Sequence, residues 1–209
     1  MRRRDWLAHC SVLLLAAPAW AQTQPRTLLV VGDSLSAEYG LARGAGWVAL
    51  LQARIAGDKL PYTVVNASIS GETTAGGRTR LAALLQQHRP ALVLIELGAN
   101  DALRGLPLAG TQANLSAMAQ AAKAAGAKVV IVGMQVPPNY GRKYSDDFAG
   151  LFAEVARAAN AALVPFLLKG VADGADAETI FQADRIHPKA EAHPRMLDNV
   201  WPVLRPLLR

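Results

Sequence analysis

The chain has 209 residues and a formal charge of +6, a length that supports one domain with a sizeable core and excludes a large multidomain enzyme. Its single cysteine, Cys10, lies ahead of the first polar break, so the remainder carries no disulfide and no thiolate chemistry. The basic excess is spread along that remainder without a Lys/Arg run, which argues against nucleic-acid binding and fits a surface that tolerates anionic membranes.

The first segment reads as an export leader. Arg2, Arg3 and Arg4 form a positive start, and Leu7 to Ala17 is an apolar run too short to span a bilayer. Ala19-Trp20-Ala21 matches a small-x-small cleavage site, so residues 1–21 are expected to be removed and the mature chain to begin at Gln22. Cys10 lies near the start of the apolar run and not after it, and it follows His9 where a small residue would be needed, which argues against a lipoprotein signal, while Arg3-Arg4 leaves the Sec and twin-arginine routes as alternatives. Removal takes three Arg and one Asp, lowering the charge from +6 to +4. The expected product is periplasmic or secreted, is not inserted in a membrane, and is a monomer.

Residues 22–209 then alternate short aliphatic runs with helical stretches. Strands are expected at Leu28 to Val31, Tyr62 to Asn66, Leu92 to Leu97, Val129 to Met134 and Leu163 to Leu167. Helices are expected at Gly46 to Ile55, Thr74 to His88, Gln112 to Ala125 and Ser145 to Ala159, punctuated by Gly57, Pro90 and Gly126. A last helix is expected from Lys189 toward Leu208, with Pro188 at its start and irregularity at Pro194 and Pro202. Runs that are apolar throughout suit strands buried on both faces, so the expected fold is one three-layer α/β/α domain on a five-stranded parallel sheet.

Four segments carry chemistry, and each leaves the carboxyl end of a strand, where open parallel sheets bind ligands. Gly32-Asp33-Ser34-Leu35 follows the first strand; Ser34 offers a nucleophile, while a capping role for Ser34 or Asp33 is the plainer alternative. Gly71 follows the second strand and can leave a free backbone N–H, or can serve the turn alone. Asn100 follows the third strand and can donate its amide to an oxyanion; for its neighbour Asp101 a structural cap is preferred. Asp184-Arg185-Ile186-His187-Pro188 supplies an Asp and a His three residues apart, and the proline keeps His187 out of a helix. Asp184 can then reach Nδ1 of His187 and leave Nε2 for Ser34, the order of a serine hydrolase.

Other candidates do not assemble. No Gly-x-Ser-x-Gly is present, since Ser68-Ile69-Ser70-Gly71 lacks the first glycine. His88 and His193 have no metal-ligand spacing, Asp173-Gly174-Ala175-Asp176 does not match a calcium loop, and no phosphate loop appears.

Together the four segments resemble the SGNH hydrolase, or GDSL lipase/esterase, superfamily, whose namesake residues map onto Ser34, Gly71, Asn100 and His187. Leu103-Arg104-Gly105-Leu106-Pro107, Val136-Pro137-Pro138-Asn139-Tyr140-Gly141 and Pro194-Arg195-Met196-Leu197-Asp198-Asn199 are similar to its bacterial periplasmic thioesterase, lysophospholipase and arylesterase group. The resemblance implies a flavodoxin-like sheet, hydrolysis of small-molecule or lipid esters and thioesters through a Ser34–His187–Asp184 triad, and no metal or organic cofactor. It also implies an oxyanion hole from Ser34, Gly71 and Asn100. Ala99 and Arg185 stand where that group often has glycine. Leu103, Leu106, Pro107, Leu108, Pro137 and Tyr140 are expected to wall the acyl groove. The same parts leave a carbohydrate or cell-wall O-acetyl esterase as the runner-up, and a non-catalytic flavodoxin-like binding module as a remote third.

Overall fold

The computed structural model describes residues 24–209; the expected leader, with Cys10, lies outside them. In chain order the elements are β1 (Arg26–Gly32), α1 (Trp47–Gly57), β2 (Tyr62–Asn66), α2 (Thr74–His88), β3 (Leu92–Glu96), α3 (Ala99–Leu103), α4 (Leu108–Ala124), β4 (Lys128–Val132), α5 (Arg142–Ala158), β5 (Ala162–Val164) and α6 (His193–Leu204). All four strand pairings are parallel, in the order β2-β1-β3-β4-β5. Helices α1 and α6 pack together, and α4 packs against both α2 and α5, so the sheet is covered on two faces.

That arrangement follows from the strand sequences. Leu28 to Val31 and Leu92 to Ile95 are completely buried, as strands sandwiched between helical layers must be. Trp47 of α1 and Phe148 and Phe152 of α5 are the largest fully buried side chains. The chain reverses direction across the sheet between β1 and β3, the topological switch point at which such sheets take ligands.

The structure departs from expectation at several ends: β5 stops at Val164 and not at Leu167, and α5 begins three residues early at Arg142. A one-turn helix, α3, follows β3, where Asn100 and Asp101 read as a turn or cap. Helix α4 begins four residues early because Pro107, with ψ 129°, serves as its N-cap. Pro188 does not start the last helix: it is buried in an isolated antiparallel bridge with Phe181, and Lys189 is still extended. A short 3-10 turn at Ala190–Ala192 then leads into α6, and Pro202 is accommodated inside it.

Candidate active site

The turn after β1 is built by a close approach. A Cβ on Gly32 would lie 2.8 Å from Ser36 Oγ and 2.9 Å from Glu96 Oε2, so only glycine fits there. Asp33 then folds the chain: its Oδ1 accepts the Leu35 N–H at 3.0 Å, and its carbonyl accepts the N–H groups of Ser36 and Ala37. Asp33 therefore caps a turn, not a helix, and Ser34 is left partly exposed at its apex.

A strap near the C-terminus reaches back to this turn. The Phe181–Pro188 bridge, with the Gln182 N–H donating to the His187 carbonyl at 2.8 Å, closes a short loop around Asp184 and His187. Asp184 Oδ1 accepts the N–H groups of Ile186 and His187 at 2.9 and 3.0 Å, while Oδ2 lies 2.7 Å from His187 Nδ1. The backbone N–H of His187, then that of Ile186 and the imidazole, hold the Asp184 carboxyl down at about 2. His187 Nε2 lies 2.8 Å from Ser34 Oγ. Asp184, His187 and Ser34 are thus one hydrogen-bonded line.

Three residues that the sequence did not single out hold the strap in place. The Gln182 amide donates to the carbonyls of Tyr39 at 2.9 Å and Pro188 at 3.2 Å. The Tyr39 ring lies against the His187 imidazole, with centroids 4.3 Å apart. Buried His193 accepts the Trp47 N–H on Nδ1 at 3.0 Å, and burial pushes its pKa down, so it stays a neutral acceptor joining α1 to α6. Arg185 adopts φ +57°, the left-handed region that favours glycine.

The remaining candidates gather on the same edge. Gly71 has φ +78°, and its turn is tied to β1 by the Ile69 N–H donating to the Gly32 carbonyl at 3.0 Å. Neither the Gly71 nor the Ser34 N–H finds an acceptor among the described residues. Asn100, in the first turn of α3, donates its amide to Asp33 Oδ2 at 3.1 Å. Asp101 is buried and accepts from the Thr74 N–H at 2.8 Å, so it ties α3 to the first turn of α2, whose own N-cap is Thr73, and does not form the local turn or cap expected of it. Glu72 pairs with Arg80, and the Arg104 guanidinium donates to the Gly71 carbonyl at 2.7 Å.

Exposed apolar side chains lie on the same connections. The exposed large hydrophobics among the described residues are Tyr39, Ile69, Leu103, Leu106 and Ile186, which fall in the connections that carry the site or, for Leu103, at the end of α3. Pro107 and Pro137 are also exposed, whereas Leu108 packs largely against the core. Tyr140 stacks on Tyr144, which continues through Phe148 to Phe152, and the Phe152 ring would meet a Cβ on Gly98 at 3.1 Å. An aromatic row therefore runs from the rim to the turn that carries Asn100. Two concavities of about 310 and 230 Å³ lie elsewhere, one at the β4–β5 start and one between α1 and β2, and neither is lined by Ser34, His187 or Asn100.

Comparison with known proteins gives a consistent result. Residues 30–195 match the GDSL-like Lipase/Acylhydrolase family. The chain is 53% identical over 202 residues to Esterase TesA of Pseudomonas aeruginosa, covering 97% of this chain and 98% of that protein. It is 38% identical over 200 residues to Thioesterase 1/protease 1/lysophospholipase L1 of Escherichia coli, covering 96% and 93%. Among solved structures, a crystal structure of TesA superposes with a TM-score of 0.84 at 55% identity, over 87% of this chain and 99% of that one.

Proposed function

Because the chain belongs to the GDSL-like lipase/acylhydrolase family and is a hydrolase of ester bonds, we propose that Ser34 is its acyl-carrying nucleophile, His187 its base and Asp184 the orienting carboxylate. The observation that carries this reading is the line of 2.7 and 2.8 Å contacts from Asp184 through His187 to Ser34. In the first step Ser34 Oγ attacks the acyl carbonyl carbon and its proton passes to His187 Nε2. The charge that develops on the carbonyl oxygen is received by the N–H groups of Ser34 and Gly71 and by the Asn100 amide. As the C–O or C–S bond breaks, His187 Nε2 gives its proton to the leaving alcohol or thiol. Water, deprotonated by the same nitrogen, then releases the acid and restores Ser34.

The substrates proposed are acyl and aryl esters together with thioesters, including acyl-CoA and lysophospholipids. Leu103, Leu106, Pro107, Pro137 and Tyr140 would line the acyl side, with Leu108 supporting them from the core. An active-site-directed fluorophosphonate should attach once per chain, at Ser34, and Ser34→Ala should lose ~10⁴–10⁶ in kcat with the fold intact. Labelling at Ser36, Ser68 or Ser70 would reject the assignment. A panel of nitrophenyl esters, one thioester, one lysophospholipid and an acetylated glycan ranks the substrates, and turnover of the glycan alone would favour the O-acetyl esterase.

Export is the second part of the reading. Residues 1–21 are proposed as a leader and 22–209 as one catalytic domain working outside the cytoplasm as a monomer. Among the described residues no helix is long and apolar enough to cross a membrane. N-terminal sequencing of the exported protein should begin at Gln22, and retention of Arg2 to Arg4 would reject the cleavage site.

A further inference from the structure

Three carboxyl groups are buried around the ends of β1 and β3, and none takes part in the acyl transfer described above: Asp33, Glu96 and Asp101. Asp101 is satisfied by Thr74 and Thr111. Asp33 and Glu96 form no ion pair among the described residues, which is costly for buried acids unless their charge is put to use or removed. Glu96 Oε2 accepts the Ser36 hydroxyl at 2.6 Å and faces the Asp33 N–H at 3.4 Å. The two oxygens of Asp33 are divided between Leu35 N–H on Oδ1 and the Asn100 amide on Oδ2.

That division matters because an Asn side chain presents NH₂ on one side and oxygen on the other, and the two are nearly isosteric. An acceptor-only partner selects the rotamer with nitrogen toward it, and leaves the second N–H of the same nitrogen for another acceptor. We propose that Asp33 is a positioning residue for acyl transfer: it holds Asn100 with an N–H, and not its carbonyl, available to the oxyanion, and the Glu96–Ser36 pair beneath keeps Asp33 in place. This inference rests on the reading of Asn100 as an oxyanion donor.

The electrostatics agree with the geometry. Two adjacent buried carboxyls do not readily ionise together. Burial first, and then the charge of Asp33, push Glu96 well above the usual carboxylate range, while burial raises Asp33 to about 6. Glu96 keeps the proton and Asp33 ionises. The other charged groups facing Asp33 are Asp101, which opposes ionisation, and His187, which favours it.

Asp33→Asn tests the role at constant volume. With its oxygen kept on the Leu35 N–H, the new NH₂ meets the NH₂ of Asn100, donor against donor, and Asn100 must turn its oxygen outward. The expected result is a fall in kcat of ~10–10² with KM nearly unchanged. Asn100→Ala should fall by ~10²–10³, and the double variant should match Asn100→Ala within about twofold, because the two act through one donor. Losses that multiply in the double variant would overturn the positioning role and leave the oxyanion reading standing. An Asn100→Ala enzyme with full kcat would overturn that reading, and this inference with it. Should Asp33→Asn not fold, NMR of the wild-type protein decides instead. The Asn100 side-chain amide signals, identified by their loss in Asn100→Ala, should shift with a midpoint near 6, the Asp33 value, and should still shift in His187→Ala, with the midpoint moved upward because the imidazole no longer favours ionisation. Signals that ignore pH in that background would overturn the proposal.

Discussion

Asp184 is bound to His187 twice, through the backbone N–H and through the ring, so its carboxylate stays ionised down to about 2. Whereas Asp33, raised by burial to about 6, titrates in mild acid, Asp184 therefore does not. Glu96 carries the opposite sign. Its pKa is higher folded than unfolded, so its contribution to stability is full below about 4.5 and is lost as pH rises through the folded value. Glu96→Gln, which is neutral at every pH, should escape that loss. The Tm of Glu96→Gln minus that of wild type should grow more positive as pH is raised from 4 to 8, and a constant difference would show that Glu96 is not held protonated. The grouping of Ser34, Asp184 and His187 was legible in the sequence because they sit in short patterns with a known chemical order. Glu96 was hidden because it ends an otherwise apolar strand, and its acceptor role depends on Ser36, sixty residues away. Gln182, Tyr39 and His193 were invisible for the same reason: their partners are set by the fold, not by spacing.

The strands and α2 were legible because burial on both faces, or a cap such as Thr73, writes itself into local sequence. Helix ends near functional loops were not. Pro107 was not read as a helix boundary, although it caps α4; Pro188 was, but bridge pairing to Phe181 outweighs local propensity there and delays α6 by five residues relative to Pro188. Helix α3 is a single turn, too short to leave a periodic pattern, and it exists because the β3–α4 connection turns tightly at the switch point. Helix α5 supports that connection from behind. Phe152 lies under Gly98 and edge-on to Phe148, so the aromatic row both fills the core and fixes the height of the Asn100 turn. Phe152→Ala should destabilise the protein by about 3–5 kcal/mol in denaturant titration. It should also lower kcat in the fraction that remains folded, and a folded variant with unchanged kcat would separate the two roles of the row.

At the scale of the molecule, one sheet edge collects the nucleophile turn, the Gly71 and Asn100 turns, the strap and all five exposed large hydrophobics. That concentration of apolar surface predicts acyl-chain selectivity. Each added methylene is worth ~0.8 kcal/mol at most, so kcat/KM on nitrophenyl esters should climb by up to a few-fold per carbon before levelling at medium length. Leu106→Asp should flatten that climb, and a profile falling from acetate upward would instead favour the O-acetyl esterase. The span of the Ser34–His187 contact carries a different consequence. Its partners are 153 residues apart in sequence, and the strap that carries His187 is anchored through α6, at the very end of the chain. A ribosome releases the nucleophile early and the base last. A chain truncated before His187 should therefore keep the Ser34 turn without its proposed base, and should not cleave an ester however well its sheet has formed.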